Sequence, residues 1–416
     1  MSNGAGLSAF PGIDVPAWPT LAGLLTGLLA GMGLGGTAHE GAVLPVAEAI
    51  GSLWLQALKM TILPLVSALI FVSVVQTVAA ARGTRLAMRT FGMMLAVLAA
   101  SAAAGLIAAP ALLQLVPIPA AAVAALQGTA SQTGPVPGFA DLLASFLPDN
   151  VVSAAAGGAM LPVIAFMALF ALASTRLSEP LRQPLERFFE AIASAMMVLV
   201  CWVLWLAPIG VFALTVGLAV RIGASALDAL IHYVVLVSAV GALVLIAAYL
   251  IGIAAARHSP LRFARALLPA QLVAISTQSS LASLPAMLAS CRRLGVRDET
   301  ADFALPLAVT IFRATSPAMN LAVAIYAARL AGVELGMAAV VTGGLTAILI
   351  SLSTVSLPGT VSFIASVGPI AVTMGIPIEP LAILVAVEML PDIMRTVGNV
   401  SMDVAVAATA DRGDSA

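Results

Sequence analysis

The sequence predicts an all-α integral membrane protein, and three observations carry that prediction. Of 416 residues, 61% are hydrophobic and only 9% are charged, with a mean hydropathy of +1.11. Soluble domains carry roughly 25% charged residues. Apolar stretches recur at lengths that reach the about 20 residues needed to cross a bilayer. Arginines fall in alternate connections between those stretches, as the positive-inside rule requires.

Six stretches qualify as spans, near residues 18–37, 43–79, 88–117, 157–175, 188–219 and 226–256. Several exceed the minimum, which implies tilt or extension beyond the hydrocarbon. Residues 118–148 are rich in Ala, Pro, Gly and Ser and read as an irregular loop outside it. Thirteen arginines lie on one side: Arg82, Arg85, Arg89, Arg176, Arg182, Arg187, Arg257, Arg262, Arg265, Arg292, Arg293, Arg297 and Arg412. Arg221 and Arg329 lie on the other. The bias places both termini in the cytoplasm and the 118–148 loop outside.

Alternation fails once. The basic clusters 257–265 and 292–297 are both cytoplasmic, yet only 26 residues separate Arg265 from Arg292. A span and return needs about 40 helical residues, so this segment is expected to be a re-entrant hairpin. Its centre carries Ser276, Thr277, Gln278, Ser279, Ser280, Ser283 and Pro285. Residues 345–374 have the same character, with Ser351, Ser353, Thr354, Ser356, Pro358 and Gly359 interrupting an apolar run. Irregular backbone at membrane depth is tolerated where it lines a cavity or is buried in protein. Two interrupted segments flanking one helix point to a transporter site near the midplane. Their helix N-termini suit an anionic group.

The last helix carries the chemistry. Glu388, Asp392, Arg395, Asn399 and Asp403 are spaced by four, three, four and four residues, which puts them on one helical face. Ionisable residues at membrane depth are costly and face a bundle interior or a water-filled cavity. Arg395 can grip a carboxylate with two parallel hydrogen bonds, or pair structurally with Glu388 or Asp392. Asp392 suits a substrate ammonium. Asn399 and Asp403 offer oxygens to a hard cation. The serine run 276–283 reads equally as small-residue packing between helices.

Other classes of function find little support. A net charge of −1 gives no electrostatic footprint for nucleic acid. Cys201 and Cys291 suggest neither a disulfide nor a metal site, and His39, His232 and His258 are scattered. The first apolar run has no basic residue before it, so a cleaved signal peptide is not expected. An intramembrane hydrolase would need a base near a hairpin serine, and no His lies near the hairpin tips. No phosphate-binding glycine-rich Lys motif speaks for ATP-driven pumping. An anion-conducting channel is the lower alternative, because clustered acids and bases suit a binding site better than a passive pore.

The chain resembles the dicarboxylate/amino acid:cation symporter family, which includes the glutamate and aspartate transporters. The matching pieces are Thr277–Pro285 (Thr-Gln-Ser-Ser-Leu-Ala-Ser-Leu-Pro), Leu305–Ile311, Ser353–Gly359 and Asp392–Asn399 followed by Asp403. In the N-terminal half they are Leu58–Leu65, Met160–Ile164 and Ala207–Leu214. The resemblance implies eight transmembrane helices plus two re-entrant hairpins in an elevator-type fold. Residues 1–256 would hold six helices, of which the first, second, fourth and fifth are scaffold while the third and sixth join the moving part. Residues 257–412 would form the transport core: hairpin 1 about 260–293, helix 7 about 301–330, hairpin 2 about 338–374 and helix 8 about 379–408. A homotrimer in the inner (cytoplasmic) membrane is also implied.

By the same resemblance, Arg395 would bind a side-chain carboxylate and Asp392 an amino group. Thr396, Asn399 and Ser316 would complete the contact, with Ser279, Ser280, Val355 and Ser356 on the α-carboxylate. Retention of both Arg395 and Asp392 favours an acidic amino acid, with a C4-dicarboxylate as the alternative. No cofactor is implied beyond a coupling ion, sodium or proton. Where the family carries Asn-Met-Asp-Gly-Thr, this chain reads Phe312-Arg-Ala-Thr-Ser316. Only Asn399 and Asp403 then remain for a single sodium site. Glu388 stands in for an Asp. Arg313, set in a membrane helix, needs an anionic partner. With Asp403 as that partner its fixed charge would replace a bound sodium, making transport proton-coupled or uncoupled.

Overall fold

A computed structural model describes residues 17–81, 85–120, 149–157, 160–222, 225–254, 256–353 and 359–414. Among them the chain is helical throughout, without a strand. The first half holds α1 (Ala17–Leu34), α2 (Glu40–Ala81), α3 (Arg85–Leu115), α4 (Val151–Ala156), α5 (Met160–Ser174), α6 (Glu179–Trp205), α7 (Ala207–Ile222) and α8 (Ser225–Ala254). The second half holds α9 (Pro260–Thr277), α10 (Leu284–Leu294), α11 (Asp298–Ile311), α12 (Ser316–Leu330), α13 (Met337–Ser353), α14 (Gly359–Thr373), α15 (Glu379–Leu384) and α16 (Met389–Asp414).

Among the described residues, four helices are long and apolar enough to cross a membrane: α2, α3, α6 and α8. The stretches 18–37 and 157–175 form the shorter apolar helices α1 and α5. The stretch 188–219 is two helices rather than one. The chain leaves α6 at Leu206 and starts α7 with Ala207-Pro208. Proline lacks an N–H and fixes φ, so it suits the first turn of a new helix. From residue 121 to 148 the expected external loop lies outside the described residues.

Most of the packing falls into two groups, joined chiefly where α2 meets α13, α14 and α3. In the first, α1 runs along α7, and α2 packs on α5, α6 and α7. A Cβ at Gly23, Gly27 or Gly31 would meet the backbone oxygen of Pro208, Phe212 or Val216 at 2.4, 2.6 or 2.5 Å. These glycines recur one turn apart and let two helix backbones touch. The Trp54 indole N–H, on α2, donates to the Val203 carbonyl at the end of α6 at 2.8 Å.

The second group is built on α16, which packs against α8, α9, α10, α11 and α3. Helix α12 packs on α3, α8, α13 and α14. Gly105 of α3 sits so close that a Cβ there would lie 2.6 Å from the Ala318 backbone of α12. Helices α9 and α10, joined by a short turn, pack against each other. Their turn starts at Gln278, which adopts the left-handed conformation at φ 49°, ψ 32°. The connection between α13 and α14, residues 354–358, lies outside the described residues.

Two expected helices are broken. The run 301–330 splits into α11 and α12, because Phe312 is extended and Arg313, Ala314 and Thr315 form a turn before Pro317. The run 379–408 splits into α15 and α16, with a turn over 385–388 between them. At the far end of α16 the Asp411 carboxylate accepts from Arg297 at 2.7 Å and from Thr300 at 2.8 Å, which fastens α16 to the start of α11.

Candidate functional site

The break between α11 and α12 exposes the first N–H groups of α12, which need acceptors from elsewhere. Thr315, the N-cap, makes no side-chain cap of its own. Its N–H donates to Asn399 Oδ1 at 2.9 Å, and its hydroxyl lies 2.8 Å from the same oxygen. The Ser316 N–H reaches the Arg313 carbonyl at 3.0 Å. Pro317 has no N–H. The Ala318 N–H donates to Ser101 Oγ of α3 at 3.3 Å, and the Met319 N–H to the Thr315 carbonyl at 3.0 Å. The start of α12 is thus capped by side chains from two distant helices.

Against this broken segment lies the polar stripe. Glu388, Asp392, Arg395, Thr396, Asn399 and Asp403 are all buried. Arg395 is 3% exposed and carries two ion pairs, Nη2 to Glu388 Oε1 at 2.6 Å and Nη1 to Asp392 Oδ1 at 2.9 Å. The other Glu388 oxygen accepts from the Tyr233 hydroxyl of α8. Arg395 Nη2 also approaches Asn320 Oδ1 at 3.5 Å. The Thr396 hydroxyl donates to the Asp392 carbonyl of its own helix at 2.9 Å. An arginine held between two buried carboxylates keeps both of them close to an opposite charge, as burial demands.

Arg313 is buried in the break, within electrostatic reach of Asp392 and Asp403 and of the like charge of Arg395. Asp403 is 1% exposed, and neither carboxylate oxygen has a hydrogen-bond partner. The expected Arg313–Asp403 pair is therefore electrostatic without a hydrogen bond. The Asn399 oxygen, expected beside Asp403 as a cation ligand, is engaged by Thr315. Among the described residues, no group of three or more His, Cys, Asp or Glu side chains could hold a metal ion.

The remaining candidates are distributed unevenly. Ser316 is buried at the first position of α12. Ser280 is buried in the α9–α10 turn, and the Ser279 hydroxyl accepts from the Ala282 N–H of that turn at 3.2 Å. Val355 and Ser356 lie outside the described residues. Sequence reasoning missed Tyr233, Asn320, Thr315 and Ser101 as members of the site. A lone Asn inside the apolar run of α12 was the one available signal, since polar side chains at membrane depth need a reason.

Fold and site together define a helical membrane protein organised around a buried cluster of acids and arginines. The class can be narrowed. A model of the sodium:dicarboxylate symporter family matches residues 17–412, and the chain belongs to that family. It is 31% identical over 265 residues to the proton/glutamate-aspartate symporter of Escherichia coli, covering 63% of this chain and 60% of that one. Against that relative the match spans less than two thirds of the relative's length. It is 27% identical over 395 residues to the proton/sodium-glutamate symport protein of Bacillus caldotenax, covering 92% and 91% of the two chains. It is 29% identical over 424 residues to the neutral amino acid transporter B(0) of Oryctolagus cuniculus, covering 92% and 76%.

Proposed function

We propose that the protein is a secondary active transporter of an acidic amino acid, aspartate- or glutamate-like, in the cytoplasmic membrane. One observation carries the reading: Arg395 and Asp392 lie 2.9 Å apart as a buried pair. A guanidinium beside a carboxylate is the mirror of a substrate that bears a side-chain carboxylate and an ammonium. Without substrate the two neutralise each other. With substrate, the incoming carboxylate replaces Asp392 on Arg395, and the incoming ammonium takes the released Asp392. No buried charge is left bare at either end of that exchange, which keeps the desolvation cost of binding low. Thr396, Asn399 and Ser316 complete the contact, and Ser279, Ser280, Val355 and Ser356 at the two hairpins hold the α-carboxylate.

The architecture we propose is eight transmembrane helices with two re-entrant hairpins, α9–α10 and α13–α14, and both termini in the cytoplasm. The group formed by α1, α2, α5, α6 and α7 acts as scaffold. The group around α16 moves against it in an elevator cycle, within a homotrimer. The packing of most of these helices within their own group, with α2 the main bridge to α13, α14 and α3, supports this division.

Coupling is altered and sodium-independent in this reading. Arg313 brings a fixed positive charge within reach of Asp403, and the Asn399 oxygen is already engaged by Thr315. The test is calorimetric binding of L-aspartate and L-glutamate to purified protein in sodium and in choline, followed by uptake into liposomes with and without a sodium gradient. Equal binding and uptake in both salts is expected. Binding of neither amino acid would overturn the substrate. Binding only in sodium would overturn the coupling.

A further inference from the structure

Asn320 is a buried polar group that the ion cluster does not account for. It lies on α12 one turn after Ser316, so the two share a face. It is 1% exposed, and its Oδ1 faces Arg395 Nη2 at 3.5 Å. Arginine has donors only, so the amide oxygen, not the NH2 group, is the atom that meets Nη2. That Nδ2 is buried and has no hydrogen-bond partner. Arg395 Nε is also buried without a partner, while its two terminal nitrogens are held by Glu388 and Asp392. Two N–H donors on touching side chains are therefore sealed from solvent with no acceptor. Buried donors are almost always satisfied, and leaving one unmade is costly.

We infer that Asn320 is a further substrate ligand, whose NH2 group joins the Arg395 guanidinium in receiving the substrate's side-chain carboxylate. The inference rests on reading Arg395 as the carboxylate site and deepens it into a rule of specificity. A carboxylate offers about four lone-pair sites on two oxygens and can accept from both donors at once. A primary amide offers one oxygen and brings its own NH2, which would meet a donor. A site lined by a guanidinium and an amide NH2 therefore selects the acid over the isosteric amide. Discrimination of this kind, built on buried groups that a wrong ligand leaves unpaired, is stronger than discrimination by size alone.

The test is competition against labelled L-aspartate by L-aspartate and L-asparagine, on the full chain and on Asn320→Ala and Asn320→Gln. Asn320→Ala should weaken L-aspartate on the order of tenfold, about 1.4 kcal/mol, and should narrow the preference over L-asparagine. Asn320→Gln keeps the NH2 and should restore most of both. Unchanged L-aspartate affinity in Asn320→Ala, or equal loss for both ligands with no recovery in Asn320→Gln, would overturn the inference. If the alanine variant does not fold, Asn320→Asp decides between the outcomes. It puts an acceptor where the NH2 stood, so weaker L-aspartate binding is expected and retained binding overturns the inference. Should the unaltered protein bind neither L-aspartate nor L-glutamate, the substrate reading itself has failed.

Discussion

Replacing Asp392 by Asn removes one charge from the site and almost no volume. Arg395 keeps its 2.6 Å pair with Glu388, and the Asn side-chain oxygen can still accept from Nη1, so the fold should survive. A substrate ammonium, however, loses its carboxylate. Truncating one partner of a buried, hydrogen-bonded charge pair costs about 2–5 kcal/mol, roughly 30- to 4,000-fold in affinity. In the proposed reading a dicarboxylate without an amino group loses nothing, because it would make no use of Asp392. It gains, because Arg395 Nη1 no longer has to be freed from an anion. Asp392→Asn should therefore weaken L-aspartate by at least about 30-fold while leaving succinate equal or tighter. Calorimetric titration of both ligands into purified wild type and variant measures this, with thermal unfolding as the control for fold. Equal losses for the two ligands would refute the reasoning, since Asp392 would then act only by holding Arg395. Unchanged L-aspartate binding would refute it as well.

Three further outcomes are expected. Gly105→Ala puts a Cβ 2.6 Å from the Ala318 backbone, with backbone on both sides of the clash; it should cost about 1–3 kcal/mol and lower the thermal midpoint in detergent, and an unchanged midpoint would refute the close α3–α12 packing. Burial pushes the Asp411 carboxyl up, but hydrogen bonds from Arg297 and Thr300 outweigh it and hold it below its usual value. The stability it contributes is present above the unfolded carboxyl's value of about 3.9 and lost as pH falls through the lower folded one, so Arg297→Ala should cost ~1 kcal/mol at neutral pH and flatten the acid side of the stability profile. Arg313→Met removes the fixed charge near Asp403, and substrate binding should then require added sodium; binding in choline at the wild-type level would refute the substitution of arginine for the ion.

The stripe was legible in the sequence because one helix carries nearly all of it. Asp392, Arg395, Asn399 and Asp403 belong to α16, and a helical period fixes which residues share its face. Glu388 reaches the same cluster although it lies in the turn before α16, since that turn begins with near-helical geometry at Val385, φ −56° and ψ −28°. The break at Phe312–Thr315 was not legible. An apolar run with prolines reads as a kinked helix, and what stabilises the break comes from far away. Asn399 lies 84 residues after Thr315, and Ser101 lies 217 residues before Ala318. Tyr233 was hidden for the same reason: a tyrosine in an apolar run has no local mark of a partner 155 residues distant.

The break also explains why this cluster gathers acids. The N-terminus of α12 presents the positive end of a helix dipole at Thr315, and Arg313 adds a full charge two residues earlier. Carboxylates opposite such a segment are favoured, and Asp392 and Asp403 are both within its reach. The resembling family places oxygen-bearing Asn and Asp residues in this stretch, where they can ligate a cation. In this chain the helix is broken at the same stretch, Asn399 caps α12 through Thr315, and the stretch is filled with Phe312, Arg313 and Ala314. We read the Arg313 side chain as a fixed cation in that stretch. In the proposed reading, the acids of α16 face a charge that does not leave with each cycle, and substrate binding would not have to wait for an ion to arrive.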